Sequence, residues 1–350
     1  MAKLTIVAVD DSALFRVLLS NAVRSIPDCE IIGTASDGQS AVQKIVELQP
    51  DLVTLDMEMP ELDGMGVLQE LKLRKVTSKV VIVSRLTTAG ARITTDALLQ
   101  GAFDFILKPS GKDPAANKAE LTDALAQKIS AIRENALSRR DTAPLVPFDQ
   151  RKLKPADGSS FDAVVIGCST GGPDALGRIV PFLEPDFPVP VIIVQHMPEG
   201  FTASLAKRLN EASEIPVVEA ADGTVLQKGM AIVARGGHHV RLEKKPFRPV
   251  VVRLTDDPHE HSCRPAVDYT LRSAIEAFDG RIVSVILTGM GRDGTDGCRL
   301  VRERGGEVLA QDSESCVVFG MPKSVIQAGL ADRIIPLSQM ATTINAMFRR

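Results

Sequence analysis

The 350-residue chain is expected to fold as two doubly wound α/β domains, each built on a parallel sheet. Two observations carry that expectation. Short apolar runs alternate with amphipathic stretches along the N-terminal part, and a second such series begins after a proline-containing interval. The runs also end repeatedly on aspartate, serine, lysine, histidine or glycine, and open parallel sheets carry their functional groups at strand carboxyl ends.

In chain order, the first strands are predicted at Leu4–Val9, Ile31–Ala35, Leu52–Asp56, Val80–Val83 and Phe103–Leu107. Between them run helical patterns such as Ala41, Ile45 and Leu48, whose i, i+4, i+7 spacing puts them on one helix face. A longer pattern from Ala115 to about Ala136 carries Leu121, Leu125, Ile129 and Ile132. The stretch that follows holds Pro144, Pro147 and Pro155 without an apolar period, and reads as a linker. The second series starts at Phe161, with strands near 163–166, 189–194, 230–234, 250–254, 282–287 and 307–310. Boundaries are therefore placed at 3–120 and 159–350, with 121–158 a helical extension and linker.

Composition is globular, 44% hydrophobic and 24% charged, with a net charge of −3. That balance offers no electrostatic case for nucleic acid or for an acidic membrane surface. No apolar run nears the ~20 residues that span a bilayer. Met1–Val7 leads straight into a strand instead of a signal peptide, so a cytoplasmic protein without membrane insertion is expected. The five cysteines, Cys29, Cys168, Cys263, Cys298 and Cys316, are scattered without a C-x-x-C pair, which favours reduced thiols over a disulfide framework or structural zinc.

In the first domain, Asp10 and Asp11 end one strand, Asp56 a second, Ser84 a third and Lys108 a fourth. A parallel sheet opens all these ends on one edge. Clustered carboxylates repel unless a cation balances them, and a hard divalent ion such as Mg²⁺ with oxygen ligands suits them. A lysine and a hydroxyl beside it would bind phosphoryl oxygens, so an aspartate there can accept a phosphoryl group. The bland alternative for Asp10-Asp11 is a helix cap.

In the second domain, Gly167-Cys168-Ser169-Thr170-Gly171 fits G-x-S-x-G, a strand-to-helix turn that lifts a serine hydroxyl clear of a sheet. Pro173 suits the first turn of the helix, whose N-terminal N–H groups would face an oxyanion. A phosphate-binding turn, a nicotinamide-dinucleotide site or a plain βα loop would read similarly, although G-x-G-x-x-G is absent. Cys168 is expected to pack the strand end. If Ser169 is a nucleophile it needs a base and an orienting carboxylate. Among His196, His238, His239, His259 and His261, only His196 directly follows an apolar run, 189–194. Asp293 follows the run 283–287 inside a glycine-rich loop, while its rival Asp268 lies in a predicted helix over 266–278 that it could cap.

Asp10-Asp11, the segment Asp56-Met57-Glu58-Met59-Pro60 with Asp63-Gly64, Ser84 and Lys108-Pro109 together resemble a response-regulator receiver domain. The resemblance implies a flavodoxin-like fold, phosphorylation of Asp56 by a histidine kinase, and Mg²⁺ held by Asp10, Asp11, Asp56 and the Glu58 carbonyl. It also implies Ser84 and Lys108 on the phosphoryl group, Phe105 as an aromatic switch, and a cis Lys108–Pro109 bond. The motifs Gly167–Pro173, Gln195-His196-Met197-Pro198, Leu287–Gly294 and Gly320-Met321-Pro322-Lys323 resemble the catalytic domain of the chemotaxis protein-glutamate methylesterases, a Rossmann-like three-layer fold. A receiver, a linker and this domain, in this order, are that family's architecture.

The second resemblance implies hydrolysis of glutamyl methyl esters on the cytoplasmic domains of chemoreceptors, with deamidation of receptor glutamines, under control of a chemotaxis-type histidine kinase. Ser169 would be the nucleophile, His196 the base and Asp293 its orienting partner. The Met290 N–H, with Gly291 in the same loop, would stabilise the oxyanion. Mg²⁺ would serve receiver phosphorylation, and ester hydrolysis would need no cofactor. A degenerate, non-catalytic second domain is the alternative.

Overall fold

The computed structural model describes residues 3–138 and 161–349. The part of the predicted linker after Ser138 lies outside them. The chain divides into two compact units, Met1–Arg133 and Glu134–Arg350.

The first unit runs β1 (Leu4–Val9), α1 (Ala13–Arg24), β2 (Cys29–Ala35), α2 (Gly38–Leu48), β3 (Leu52–Asp56), α3 (Gly64–Leu73), β4 (Lys79–Ser84), α4 (Thr88–Leu99), β5 (Asp104–Leu107) and most of α5 (Pro114–Ser138), whose last residues lie past Arg133. Its five strands lie in the order β2-β1-β3-β4-β5 with every pairing parallel. All five residues of β3 are buried, as a central strand covered on both faces requires. Ser12, Asp37, Asp63 and Thr87 cap α1 to α4, each side chain accepting a backbone N–H, which stabilises a helix start by about 1 kcal/mol. Because Ser12 caps α1, the carboxylates of Asp10 and Asp11 are left for other work. The strand order reverses between β1 and β3, so a crevice opens beyond their carboxyl ends.

The second unit contains β6 (Ala163–Cys168), α6 (Gly172–Gly177), β7 (Val191–Gln195), α7 (Phe201–Ala212), β8 (Val217–Glu219), β9 (Ala231–Val233), β10 (His239–Glu243) and β11 (Val251–Thr255). It continues with α8 (Val267–Ala277), β12 (Ile282–Ile286), α9 (Thr295–Glu303), β13 (Glu307–Gln311), α10 (Met321–Gln327), β14 (Arg333–Ile335) and α11 (Leu337–Phe348). Seven parallel strands form the order β14-β13-β12-β6-β7-β9-β8. Alternate residues of β6 and β12 face opposite sides, yet all are buried, so the sheet is covered on both faces. One face packs Val165, Ile192, Ile232 and Ile286 against Val267, Leu271 and Ala274 of α8 and Cys298 of α9. Here the order reverses between β6 and β12, which places the second crevice.

Three expectations need correction. The run predicted at 250–254 is β11, but it pairs antiparallel with β10 as a separate ribbon and takes no place in the sheet. Only Val252 of its five residues is buried, unlike a central parallel strand. Strands β8 and β14, three residues each, were not anticipated; runs that short carry no period. Among the described residues the one cis peptide is Arg264–Pro265, so Lys108–Pro109 is trans. The intrinsic difference between the two X–Pro isomers is only ~1 kcal/mol, too small for sequence alone to decide. Among the described residues no helix is long and apolar enough to cross a membrane.

Candidate functional site

In the first unit, Asp10, Asp11 and Asp56 meet at the crevice, with carboxylate oxygens within 4.8 Å of one another. Asp10 and Asp56 are buried and Asp11 is exposed. Lys108 Nζ sits 2.7 Å from both Asp10 Oδ2 and Asp56 Oδ2. One ammonium against three carboxylates leaves the pocket negative, and burial together with the Asp56 charge holds the Asp10 carboxyl above its ordinary pKa, although Lys108 and the Ser12 N–H oppose this. An all-oxygen set with residual negative charge fits a small divalent cation. Asp56 Oδ1 accepts the Glu58 N–H at 3.3 Å, which turns the chain after β3 back over the pocket. The Glu58 carboxylate points away to Arg85 at 3.4 Å, leaving the backbone as its contribution here. Ser84 is buried at the end of β4, where its hydroxyl accepts from Thr94 Oγ1 at 2.7 Å. Phe105 is half-buried. The Phe15 ring, 4.8 Å from Lys108 Nζ, is a cation–π partner that no motif announced.

In the second unit, Ser169 follows β6 on a turn held at three points. Its N–H donates to Thr288 O at 3.0 Å, and its carbonyl accepts from Gly172 N at 2.7 Å and Gln195 Nε2 at 3.0 Å. Gly171, at φ 78°, adopts the left-handed conformation that starts α6. That helix has only six residues, so little axial dipole supports the turn. Cys168 is fully buried, its thiol pKa pushed far up by desolvation, which agrees with a packing role.

His196 follows β7. Cys168 pairs with Gln195 in the β6–β7 ladder, and His196 N donates to Cys168 O at 3.1 Å, so Ser169 and His196 leave adjacent strands side by side. Asp293 reaches the same place from the loop after β12. Its Oδ2 lies 2.8 Å from His196 Nε2 and also accepts Val267 N at 2.7 Å, while Oδ1 accepts Asp268 N at 2.9 Å. Burial alone would raise the Asp293 pKa, but the His196 contact and the two N–H donors outweigh it, and the carboxyl stays below its ordinary range. Burial alone would lower the basicity of His196; the hydrogen bonds to Asp293 and Cys263 and the Asp293 charge reverse this and raise it.

Ser169 and His196 are neighbours without a hydrogen bond between their side chains among the described residues. Instead, His196 Nδ1 faces Cys263 Sγ at 3.4 Å. Met290 is half-buried and Gly291 exposed, and among the described residues neither N–H donates to a protein acceptor, which leaves both for a ligand. Of the remaining histidines, His238 pairs with Asp256 at 2.8 Å, His239 is buried and stacked on Tyr269, and His259 is exposed. His238 and His239 follow Gly236-Gly237 at the start of β10, the first strand of the antiparallel β10–β11 pair.

Two residues lie inside the quoted motifs but take no role from the sequence. Gln195 is buried, and its amide donates to both Ser169 O and His196 O while its oxygen accepts from Cys168 Sγ at 3.0 Å, tying the two turns together. A polar residue ending an apolar strand was the available signal. Gly289 is the other. A Cβ there would sit 2.4 Å from Met321 Sδ, 2.8 Å from Ser169 Cβ and 3.0 Å from Ser169 N. Gly289→Ala is therefore expected to destabilise this unit by about 1–3 kcal/mol, measured as a lower midpoint in chemical or thermal unfolding.

Comparison with known proteins places these arrangements. The family model described as CheB methylesterase matches residues 164–344, and that of the response regulator receiver domain matches residues 6–120. The chain is 44% identical to a protein-glutamate methylesterase/protein-glutamine glutaminase of Desulfotalea psychrophila, over 98% of each chain. It is 43% identical to one of Thermotoga maritima, over 95% of this chain and 94% of that one. The crystal structure of the Thermotoga maritima CheB methylesterase catalytic domain is similar at a TM-score of 0.52 and 46% identity, covering 54% of this chain and 99% of that domain. The chain belongs to the CheB methylesterase family and joins a response regulator receiver domain to a methylesterase domain.

Proposed function

We propose that the second unit hydrolyses methyl esters of glutamyl side chains on the cytoplasmic domains of chemoreceptors, and that phosphorylation of Asp56 by a chemotaxis-type histidine kinase raises its rate. The observation that carries the reading is the hydrogen-bonded His196–Asp293 pair beside the Ser169 turn, at the point where the strand order reverses. Ser169 Oγ attacks the ester carbonyl as His196 Nδ1 takes its proton. The tetrahedral oxyanion is held by the Met290 N–H. It collapses as methoxide departs and receives the proton from His196. Water then attacks the acyl-serine by the same route, releasing glutamate and free Ser169. With a glutaminyl side chain the first leaving group is ammonia, so one site serves both reactions. Ser169 Oγ replaces Cys263 Sγ at Nδ1 when substrate binds; catalytic hydrogen bonds commonly tighten only in that complex.

In the receiver, Asp10, Asp11, Asp56 and the Glu58 carbonyl would hold Mg²⁺, which when bound offsets the charge of the carboxylates and of the incoming phosphoryl oxygens. Lys108 and Ser84 would bind those oxygens. The site of action is the cytoplasm, where receptor tails and kinase are met. Acetyl phosphate with Mg²⁺ is expected to increase methanol release from methylated receptor, and in Asp56→Asn that increase should vanish, turnover with donor equalling turnover without.

The Cys263 contact favours a second reading in which Cys263, His196 and Asp293 form the reactive set. It differs by lying in a loop without a strand-to-helix turn behind it. Under that reading Cys263→Ala, and not Ser169→Ala, would stop methanol release.

A further inference from the structure

Building on the esterase reading, we infer that His261, acting through Asp268, is a positioning residue for the His196–Asp293 pair. Asp268 and Asp293 are each 1% exposed, and a polar atom from each lies within 4.8 Å of His261. His261 Nε2 is 2.8 Å from Asp268 Oδ2 and 3.9 Å from Asp293 Oδ1. The two carboxylates are also joined through the backbone, because Asp268 N donates to Asp293 Oδ1. The result is a chain of four groups in which each buried aspartate has its own histidine.

This cluster is not a metal site. Both oxygens of each carboxylate already face nitrogen: Asp293 faces His196 Nε2 and the N–H groups of Val267 and Asp268, while Asp268 faces His261 Nε2 and, at 2.6 Å, Gly297 N. Gly297 is closely packed here, since a Cβ there would lie 2.6 Å from Leu271 Cδ1 and 3.1 Å from Asp268 Oδ1. Asp268 is thus held at both oxygens, and His261 is delivered to it by a tight turn. Glu260 and Cys263 exchange backbone hydrogen bonds at 3.2 and 2.8 Å, and His261 and Ser262 between them have φ of 51° and 62°. Two consecutive non-glycine residues in the left-handed region are strained, a feature found where local structure serves a site. The same turn carries Cys263 to His196 Nδ1.

Two adjacent buried carboxylates repel. Burial and the Asp293 charge both raise the Asp268 pKa, while the Gly297 N–H and His261 lower it. Among the described residues, the other titratable or charged groups acting on this pair are His196, Cys298 of α9 and Arg272 of α8, itself paired with Glu260, while Cys263 faces His196. Where Asp268 stays ionised, loss of the His261 imidazole leaves its charge felt more strongly at Asp293, which holds the proton on His196. A base that keeps its proton to higher pH is less available at neutral pH, so His261 tunes turnover without touching substrate.

The test is the pH profile of kcat/KM for methanol release by the full chain, with wild type, His261→Gln and His261→Ala side by side. Titration of the His196 ring is followed in parallel by NMR. The expected result is an acid limb displaced about one unit upward in both variants, with kcat near pH 7 down ~10-fold, KM within about twofold, and recovery at alkaline pH. The NMR midpoint of His196 should rise with it. Superimposable profiles and an unmoved His196 midpoint in folded variants would overturn the inference. The NMR arm reads the coupling even if wild type releases no methanol, which would instead count against the esterase reading.

Discussion

Ser169→Ala is expected to lower methanol release by at least about 10⁴-fold while leaving the fold in place. What holds the turn is backbone: the Ser169 N–H on Thr288, its carbonyl on Gly172 N and Gln195 Nε2. Alanine keeps all three. Stability should therefore change by no more than ~0.5 kcal/mol, as for a substitution that removes no buried partner. The separation between the two readouts is the diagnostic feature. A structural serine would lose both together or neither, and a nucleophile loses only turnover. Thermal unfolding and methanol release on the same preparation measure them.

Asp293→Asn should lower kcat by roughly 10³–10⁴-fold with KM little changed, and should also cost stability. Every neighbour of this carboxylate is a donor: Val267 N and His196 Nε2 at Oδ2, and Asp268 N at Oδ1. An asparagine can accept on one side only. With its oxygen at the Oδ2 position, its NH₂ opposes the Asp268 N–H; reversed, it opposes Val267 and leaves His196 without an acceptor. Either orientation leaves a buried donor unsatisfied, at about 1–3 kcal/mol. On the proposed mechanism, losing the charge also removes what would keep the His196 proton on Nε2 and leave Nδ1 to act as base. Steady-state kinetics with a denaturation curve would measure both effects, and a normal kcat would remove Asp293 from the mechanism.

The parallel strands were legible because burial on both faces makes them continuous apolar runs with polar ends. Leu4–Val9 and Leu52–Asp56 form strands with the bounds read from sequence. Those ends are also where Asp10, Asp56, Ser84, Ser169 and His196 stand, so much of both sites could be read from the same signal. Where the reading failed, tertiary pairing decided. The run at 250–254 looked like another sheet strand, but its partner is β10, a choice made across the chain and not within the run. Asp268 read as a helix cap, whereas its carboxylate serves Gly297 N and His261. The role of Gln195 depends on the register that sets it opposite Cys168. His261 and Cys263 lie in a turn whose left-handed residues carry no glycine, so nothing in the local sequence announced its shape.

The most direct test of the account is to identify the acylated residue. A methylated receptor peptide would be mixed with the full chain, quenched in acid within the turnover time, and mapped by mass spectrometry with and without hydroxylamine. The account predicts the glutamyl acyl group on the peptide carrying Ser169, as an oxygen ester, and no adduct in Ser169→Ala. An acyl group on Cys263 as a thioester, or full methanol release from Ser169→Ala, would contradict it.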